Sequence, residues 1–202
     1  CPDALERHLE VLERRPDIGF TFSSAYYGSD DPYTGRLRVE RELRPRDFPE
    51  EDFMAELLLE SYTASPAVVV RTAVQRAAGP YNPELIRSQD WEMALRWGLQ
   101  APAARLPDAR PTYYRRFHEG ARGRRGSEFG AGERVARGRA TSRDILRRLA
   151  GYIELRHYLP YPLWADEMDA ARRRLALSRR LAVRLRKGLW PEALSDLDAL
   201  AE

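Results

Sequence analysis

Three short stretches of this 202-residue chain hold side chains whose type and spacing could do chemistry. In Ser88-Gln89-Asp90-Trp91-Glu92 a carboxylate opens an amphipathic run. An aspartate there either caps the helix that follows or stays available for proton transfer. In Arg115-Arg116-Phe117-His118, with Arg122 a little further on, planar guanidinium forks could pair with phosphate. Between them lies the rigid loop Gly79-Pro80-Tyr81-Asn82-Pro83. Other chemistries lack their parts. One cysteine and three separated histidines make neither a disulfide framework nor a Cys/His zinc cluster. Ser23, Ser24 and Ser127 stand outside any Gly-x-Ser-x-Gly turn, and the glycines of residues 120–132 are followed by no Gly-Lys-Ser/Thr. His8 reads as lying on the polar side of a first helix and His157 as packing among Tyr158, Tyr161 and Trp164, both in structural roles.

The periodicity predicts the elements that must position these groups. Leu5, Leu9 and Leu12 mark a helix over 2–15, and the β-branched and aromatic run 18–23 a strand. Residues 30–50 read as an irregular or hairpin excursion and 51–59 as a short helix. The apolar run 65–71 reads as a central strand, and Thr72 as the N-cap of a helix over 73–78. A helix over 90–100 with Trp91, Leu95 and Leu99 inward and a last strand over 111–117 complete this part. Residues 123–139, rich in glycine and arginine, read as a linker. Beyond it helices are expected over 142–158, over 165–187 with Gly188 as its stop, and from Trp190-Pro191-Glu192 onward, the last two forming a hairpin.

Four of these stretches, in this order, resemble glycosyltransferase family 2, which has the GT-A fold. Pro2-Asp3-Ala4-Leu5-Glu6 with Ile18-Gly19-Phe20-Thr21-Phe22 looks like the helix and strand after the family's Asp-x-Asp motif. Residues 65–71 look like its mid-chain acceptor-side strand. Ala78-Gly79-Pro80-Tyr81-Asn82 with Ser88-Gln89-Asp90-Trp91 resembles its Gly-Gly-Phe-Asp and Glu-Asp-Trp pair, and Arg116-Phe117-His118 its closing Arg-x-His. The likeness covers residues 1–122. Pro80, Tyr81, Asn82 and Gln89 depart from the pattern and leave substrate choice open.

The resemblance implies an α/β fold, namely a partial GT-A, Rossmann-like mixed sheet with flanking helices over 1–122; the periodicity adds an all-α extension over 140–202. It implies inverting transfer from a nucleotide-sugar donor to a saccharide or lipid-linked acceptor in a cell-envelope or secondary pathway. Asp90 would then be the general base, because inverting transfer needs a carboxylate to take the acceptor hydroxyl's proton. Gln89, Trp91, Gly79, Tyr81 and Arg116 would contact substrate, and His118 would ligate a divalent metal, Mg or Mn. With Gln89 in place of a second carboxylate, the basicity of Asp90 would rest on desolvation beneath Trp91. The chain opens on Cys1-Pro2 without methionine, so a nucleotide-binding half carrying Asp-x-Asp is expected upstream and this piece is expected to be inactive alone.

Composition narrows the alternatives. With 32% charged residues and no apolar run near the roughly 20 needed to span a bilayer, membrane embedding is not expected. A net charge of +3 speaks against a nucleic-acid clamp. Of 34 basic residues only Lys187 is a lysine. The arginine-dense helices after residue 133 could meet an anionic membrane, but Asp144, Glu154, Asp166, Glu167 and Asp169 dilute their field, so solvated faces are the expectation. A cytoplasmic setting follows, with peripheral contact at the inner face of a membrane as its extension. The rival reading, from a different class, is a non-catalytic helical module that binds a protein partner.

Overall fold

Phe20 and Phe22 point to one side of a short strand and Thr21 to the other, and this alternation sorts the helices into two layers. The computed structural model describes residues 1–44, 47–63, 65–107, 110–116 and 133–202. The strand, β1 (Phe20–Phe22), is wholly buried at the centre of a three-stranded sheet. β4 (Val68–Val70) pairs with it antiparallel and β5 (Ala103–Arg105) parallel. On the phenylalanine side lie α2 (Phe53–Leu59) and α4 (Gln89–Gln100), whose Phe53 and Trp97 rings sit 6.4 and 5.7 Å from Phe20. On the other side α1 (Ala4–Arg14) packs Leu12 against Ile18 and Ala104.

α1 is turned from its expected orientation. Leu5 and Leu9 remain 59% and 42% exposed, while His8, expected on the polar side, is buried with Leu12. The i and i+4 positions 8 and 12 form the contact stripe because His8 Nδ1 and the Thr21 hydroxyl share a hydrogen bond of 2.7 Å, which satisfies the imidazole in the interior.

A second three-stranded sheet takes the place of one continuous mixed sheet. β2 (Ala25–Asp30) pairs antiparallel with β3 (Leu37–Leu43) and parallel with β6 (Tyr113–Arg116). β1 leads into β2 through Ser23-Ser24, and β5 leads into β6, so the same two segments run side by side through both sheets. Hydrogen bonding persists at the bend: the Leu106 amide donates to Phe22 O at 2.9 Å and the Thr112 amide to Ser24 O at 3.2 Å. The Ser23 and Thr112 hydroxyls meet at 2.5 Å. The 30–50 excursion is therefore largely a hairpin. At its tip Asp31 accepts from the Tyr33 and Thr34 amides, and Gly35 takes a positive φ of 63°.

Three local readings change. Residues 65–67 form a 3-10 turn rather than the start of β4. Thr72 is the first residue of α3 (Thr72–Ala78), not its cap; Arg71 precedes it in extended conformation and donates to the carbonyls of Leu12, Arg15 and Ile18. β5 was hidden in the short run Ala103-Ala104-Arg105.

α5 (Arg134–Arg148) begins within the expected linker, of which residues 123–132 lie outside the described residues. It stops before Gly151, and residues 155–158 form a separate 3-10 turn. α6 (Ala170–Lys187) starts at Asp169, whose carboxylate accepts from the Arg172 amide, and ends at Gly188 with φ 71°. α7 (Trp190–Ala201) folds back on α6, fastened by the fully buried Asp196, which pairs with Arg180 at 2.5 Å and Arg184 at 2.7 Å. The helical extension is not a separate body. Ile145, Leu149, Tyr158, Leu159 and Val183 belong to one core with Phe20, Phe53 and Trp91.

Two consequences can be measured. A Cβ on Gly28, at the bulge in β2, would stand 2.1 Å from the Arg38 carbonyl oxygen across the hairpin. Gly28→Ala is therefore expected to destabilise the chain by about 2 kcal/mol, read as a lower thermal midpoint. Burial, reinforced by the neighbouring Arg7 charge, lowers the pKa of His8 from 6.5 to about 4, and burial also lowers that of His157. Above about pH 6.5 both states hold His8 neutral; below it the unfolded chain takes up a proton that the folded chain refuses. Stability should fall between about pH 6.5 and 4 by on the order of 3 kcal/mol, seen as a falling urea midpoint whose slope is shallower in His8→Gln.

Candidate active site

The loop from Gly79 to Ser88 and the first turn of α4 are held as one piece by Arg96. Its guanidinium donates to the carbonyls of Ala78 and Pro80, the latter at 2.7 Å, and to the buried Glu92 carboxylate at 3.0 Å. Glu92 and Arg96 stand one turn apart on α4, so a planar fork on a rigid helix grips the loop behind it. Gly79 closes α3 with φ 78° and ψ −170°, a backbone state essentially confined to glycine, and Gln75 Nε2 donates to its carbonyl at 2.7 Å. The two halves of the sequence pattern are thus joined physically through a pair of residues that the pattern itself does not contain.

Ser88, immediately before α4, has φ 57° and ψ 24°. Among the described residues it is the sole non-glycine with positive φ. Left-handed backbone costs an L-residue about 1–2 kcal/mol, and such strain gathers where a fold must aim a group. Gln89 next to it is exposed and turns its amide back to Leu85 O at 2.5 Å. Asp90 follows in the first turn, partly exposed. Its Oδ1 accepts from the Trp91 amide at 2.9 Å; Oδ2 has no hydrogen-bond partner among the described residues. Across from it lies Tyr113 at the start of β6. Burial raises the pKa of that phenol; Arg115 opposes the rise and the Asp90 charge adds to it.

The expected substrate residues divide. Gly79, Gln89 and Asp90 share the corner that Arg96 holds together, and Tyr81, 43% exposed, rides on the same loop. Trp91 does not serve as a sugar platform. It is 2% exposed, its Nε1 donates to Leu57 O at 2.7 Å, and the Lys187 ammonium lies 4.4 Å from its ring centroid. An aromatic face so covered stacks on core, and it leaves Asp90 open to solvent rather than shielded. Arg116 is exposed, with its guanidinium 3.1 Å from Asp30 at the end of β2, so one carboxylate already engages its fork. His118 and Arg122 lie outside the described residues. Among the described residues no group of three or more His, Cys, Asp or Glu gathers at metal-binding spacing.

Sequence reasoning quoted Ser88 and Glu92 within the Asp90 stretch without giving either a role, and it missed Arg96 and Tyr113. Only the Glu92-Arg96 spacing carried a signal, that of an i,i+4 ion pair. A further cleft of about 310 Å³ opens where the parallel strands β1 and β5 end, between Phe22, Phe48, Phe53 and Arg105. The carboxyl ends of parallel strands are where open α/β sheets present ligand sites.

If the αL turn is strained, Ser88→Gly should raise the thermal midpoint, equivalent to about 1 kcal/mol. An unchanged or lower midpoint would show that the serine fits this backbone without cost. No protein-family model matches the chain, and comparison with curated proteins and with solved structures gives no significant match.

Proposed function

We propose that the chain is the acceptor-side part of an inverting glycosyltransferase that moves a sugar from a nucleotide-sugar donor to a saccharide or lipid-linked acceptor. The observation that carries this reading is the corner at Asp90: a carboxylate with one oxygen anchored and the other open, placed at a helix start by a left-handed serine and an arginine clamp. The α/β architecture, with a bent pair of mixed sheets and helices on both faces of the first, is compatible with a partial GT-A domain.

In the reaction Asp90 Oδ2 accepts the proton of the acceptor hydroxyl as that oxygen bonds to the anomeric carbon, and the bond from that carbon to the nucleoside diphosphate breaks, the electron pair leaving with the diphosphate. Anchoring Oδ1 fixes the carboxylate's direction, so that Oδ2 faces the acceptor without a search over rotamers. A divalent metal, Mg or Mn, would neutralise the leaving diphosphate; His118 is the residue of this chain assigned to it. Tyr113, whose phenol remains protonated, is a donor on the acceptor side of Asp90. A non-catalytic interaction module is the second reading, favoured by the exposed leucines of the α6–α7 hairpin.

In the protein that carries this chain, Asp90→Asn should lower sugar transfer about 10²–10⁴-fold while leaving nucleotide-sugar binding intact, measured by product formation and by donor titration. Transfer at the parental rate in the folded variant would refute the assignment of the base and return the reading to an interaction module.

A further inference from the structure

The C-terminal helices carry ion pairs that range from the one around the buried Asp196 to exposed ones, alongside one place where the carboxylates run out. On α5, Arg137 pairs with Glu133, Arg147 with Glu192, and Arg148 with Asp144 and Glu84. Arg139 and Arg143, one turn apart on the same helix, have no carboxylate partner among the described residues. Like charges at this spacing repel by a few tenths of a kcal/mol when nothing lies between them. Both line a cleft of about 500 Å³ together with Leu185, Arg186, Lys187 and Trp190. Arg186 is matched by Glu60 at 2.7 Å, which leaves Arg139, Arg143 and Lys187 as the cations in excess.

The donors converge. Arg143 and the Trp190 indole Nε1 each lie 3.8 Å from the point where a Cβ on Gly188 would stand, and Lys187, held over the Trp91 ring, lines the same cleft. The partial negative charge at the carboxyl end of α6 opposes an anion there, but the Arg139 and Arg143 charges, which have no carboxylate partner among the described residues, outweigh about half a charge even before Lys187 is counted. The cleft also has an apolar margin. Trp190 begins a stripe on α7 that continues one and two turns on in Leu194 and Leu197, and these are 60%, 61% and 54% exposed, with Leu185 at 44%. Two of the α7 carboxylates are engaged elsewhere, Glu192 by Arg147 and Asp196 beneath Arg180 and Arg184, and the exposed Asp198, one turn on from Leu194, borders the stripe on one side.

An unmatched cationic cleft bordered by an exposed tryptophan and leucines has the chemistry of a membrane–water interface, where guanidinium meets lipid phosphate, the indole sits at the headgroup level and leucines enter the acyl boundary. A free phosphate ligand accounts for the cations and leaves the leucine stripe without a role. We propose that this α5–α6–α7 corner docks the protein on anionic phospholipid, with a lipid phosphate seated between Arg139, Arg143 and Lys187 and with Trp190, Leu194 and Leu197 against the lipid. The inference stands independently of the transfer chemistry assigned to Asp90.

Co-sedimentation of the chain with vesicles tests it. The chain should bind phosphatidylcholine vesicles containing phosphatidylglycerol and leave pure phosphatidylcholine vesicles unbound. Arg139→Gln with Arg143→Gln should weaken partitioning about thirtyfold, since each cation at such a surface contributes about a fivefold effect. Arg173→Gln with Arg174→Gln, which removes the same charge from exposed positions on α6 away from the cleft, should change it less than threefold. Trp190→Ala should weaken binding about tenfold at unchanged net charge. Thermal midpoints of all variants, compared with the parent, separate loss of binding from loss of fold. Equal weakening by the two arginine pairs, equal binding to neutral vesicles, no vesicle binding at all, or saturable binding of pyrophosphate without vesicle binding would each overturn the proposal.

Discussion

Two stretches of chain, residues 18–30 on one side and 102–107 with 110–116 on the other, run side by side through both sheets, and the hydrogen bonds that hold them together across the bend at Ser23-Ser24 constrain everything else. Backbone amides and carbonyls inside a protein must find partners, and here they find them in each other on both sides of the turn. The pair of small hydroxyl residues, Ser23 and Thr112, lets the two segments change direction together without leaving a polar group stranded. Because the ribbon bends, β6 arrives beside the start of α4 rather than extending the first sheet. That is how Tyr113 comes to sense the charge of Asp90.

Arginine does much of the fastening, in a way that lysine could not. Arg71 reaches three carbonyls between the last turn of α1 and the approach to β1, Arg96 grips two carbonyls and a carboxylate behind α4, and Arg180 with Arg184 encloses a carboxylate that no solvent reaches. Each uses the planar, many-donor geometry of the guanidinium, so these are bonds of direction as much as of charge. Removing one partner of the Asp196 cluster would leave a buried charge unmatched, which costs far more than an exposed pair contributes. The arginine content that looks like a surface property in the sequence is in part an internal scaffold.

Much of the architecture is legible in the sequence because hydrophobic period and stop signals are local. Gly188 and Trp190-Pro191 mark the α6–α7 turn, and the 18–23 run marks β1, for that reason. The bend, the second sheet and β5 are set by pairing between residues about 80 positions apart, about which a run such as Ala103-Ala104-Arg105 carries no periodic information. His8 shows the same limit at the scale of one side chain: its polarity points outward, and only the hydroxyl of Thr21, contributed by another element, makes burial acceptable. At the site, the position of Asp90 at a helix start could be read directly. The strain at Ser88 and the burial of both faces of Trp91 could not, because the first depends on a loop held from behind and the second on a lysine nearly 100 residues later.

That lysine is the only one in the chain, and burial draws its pKa down from 10.5 to about 8. Near neutral pH an appreciable minority of its amines is unprotonated, a far larger share than for an ordinary lysine. Side-chain acylation is therefore a one-address reaction on this polypeptide, and its rate depends on how firmly α6 lies against α4. A single covalent label can consequently report on the packing of the helical extension over the helix that carries Asp90.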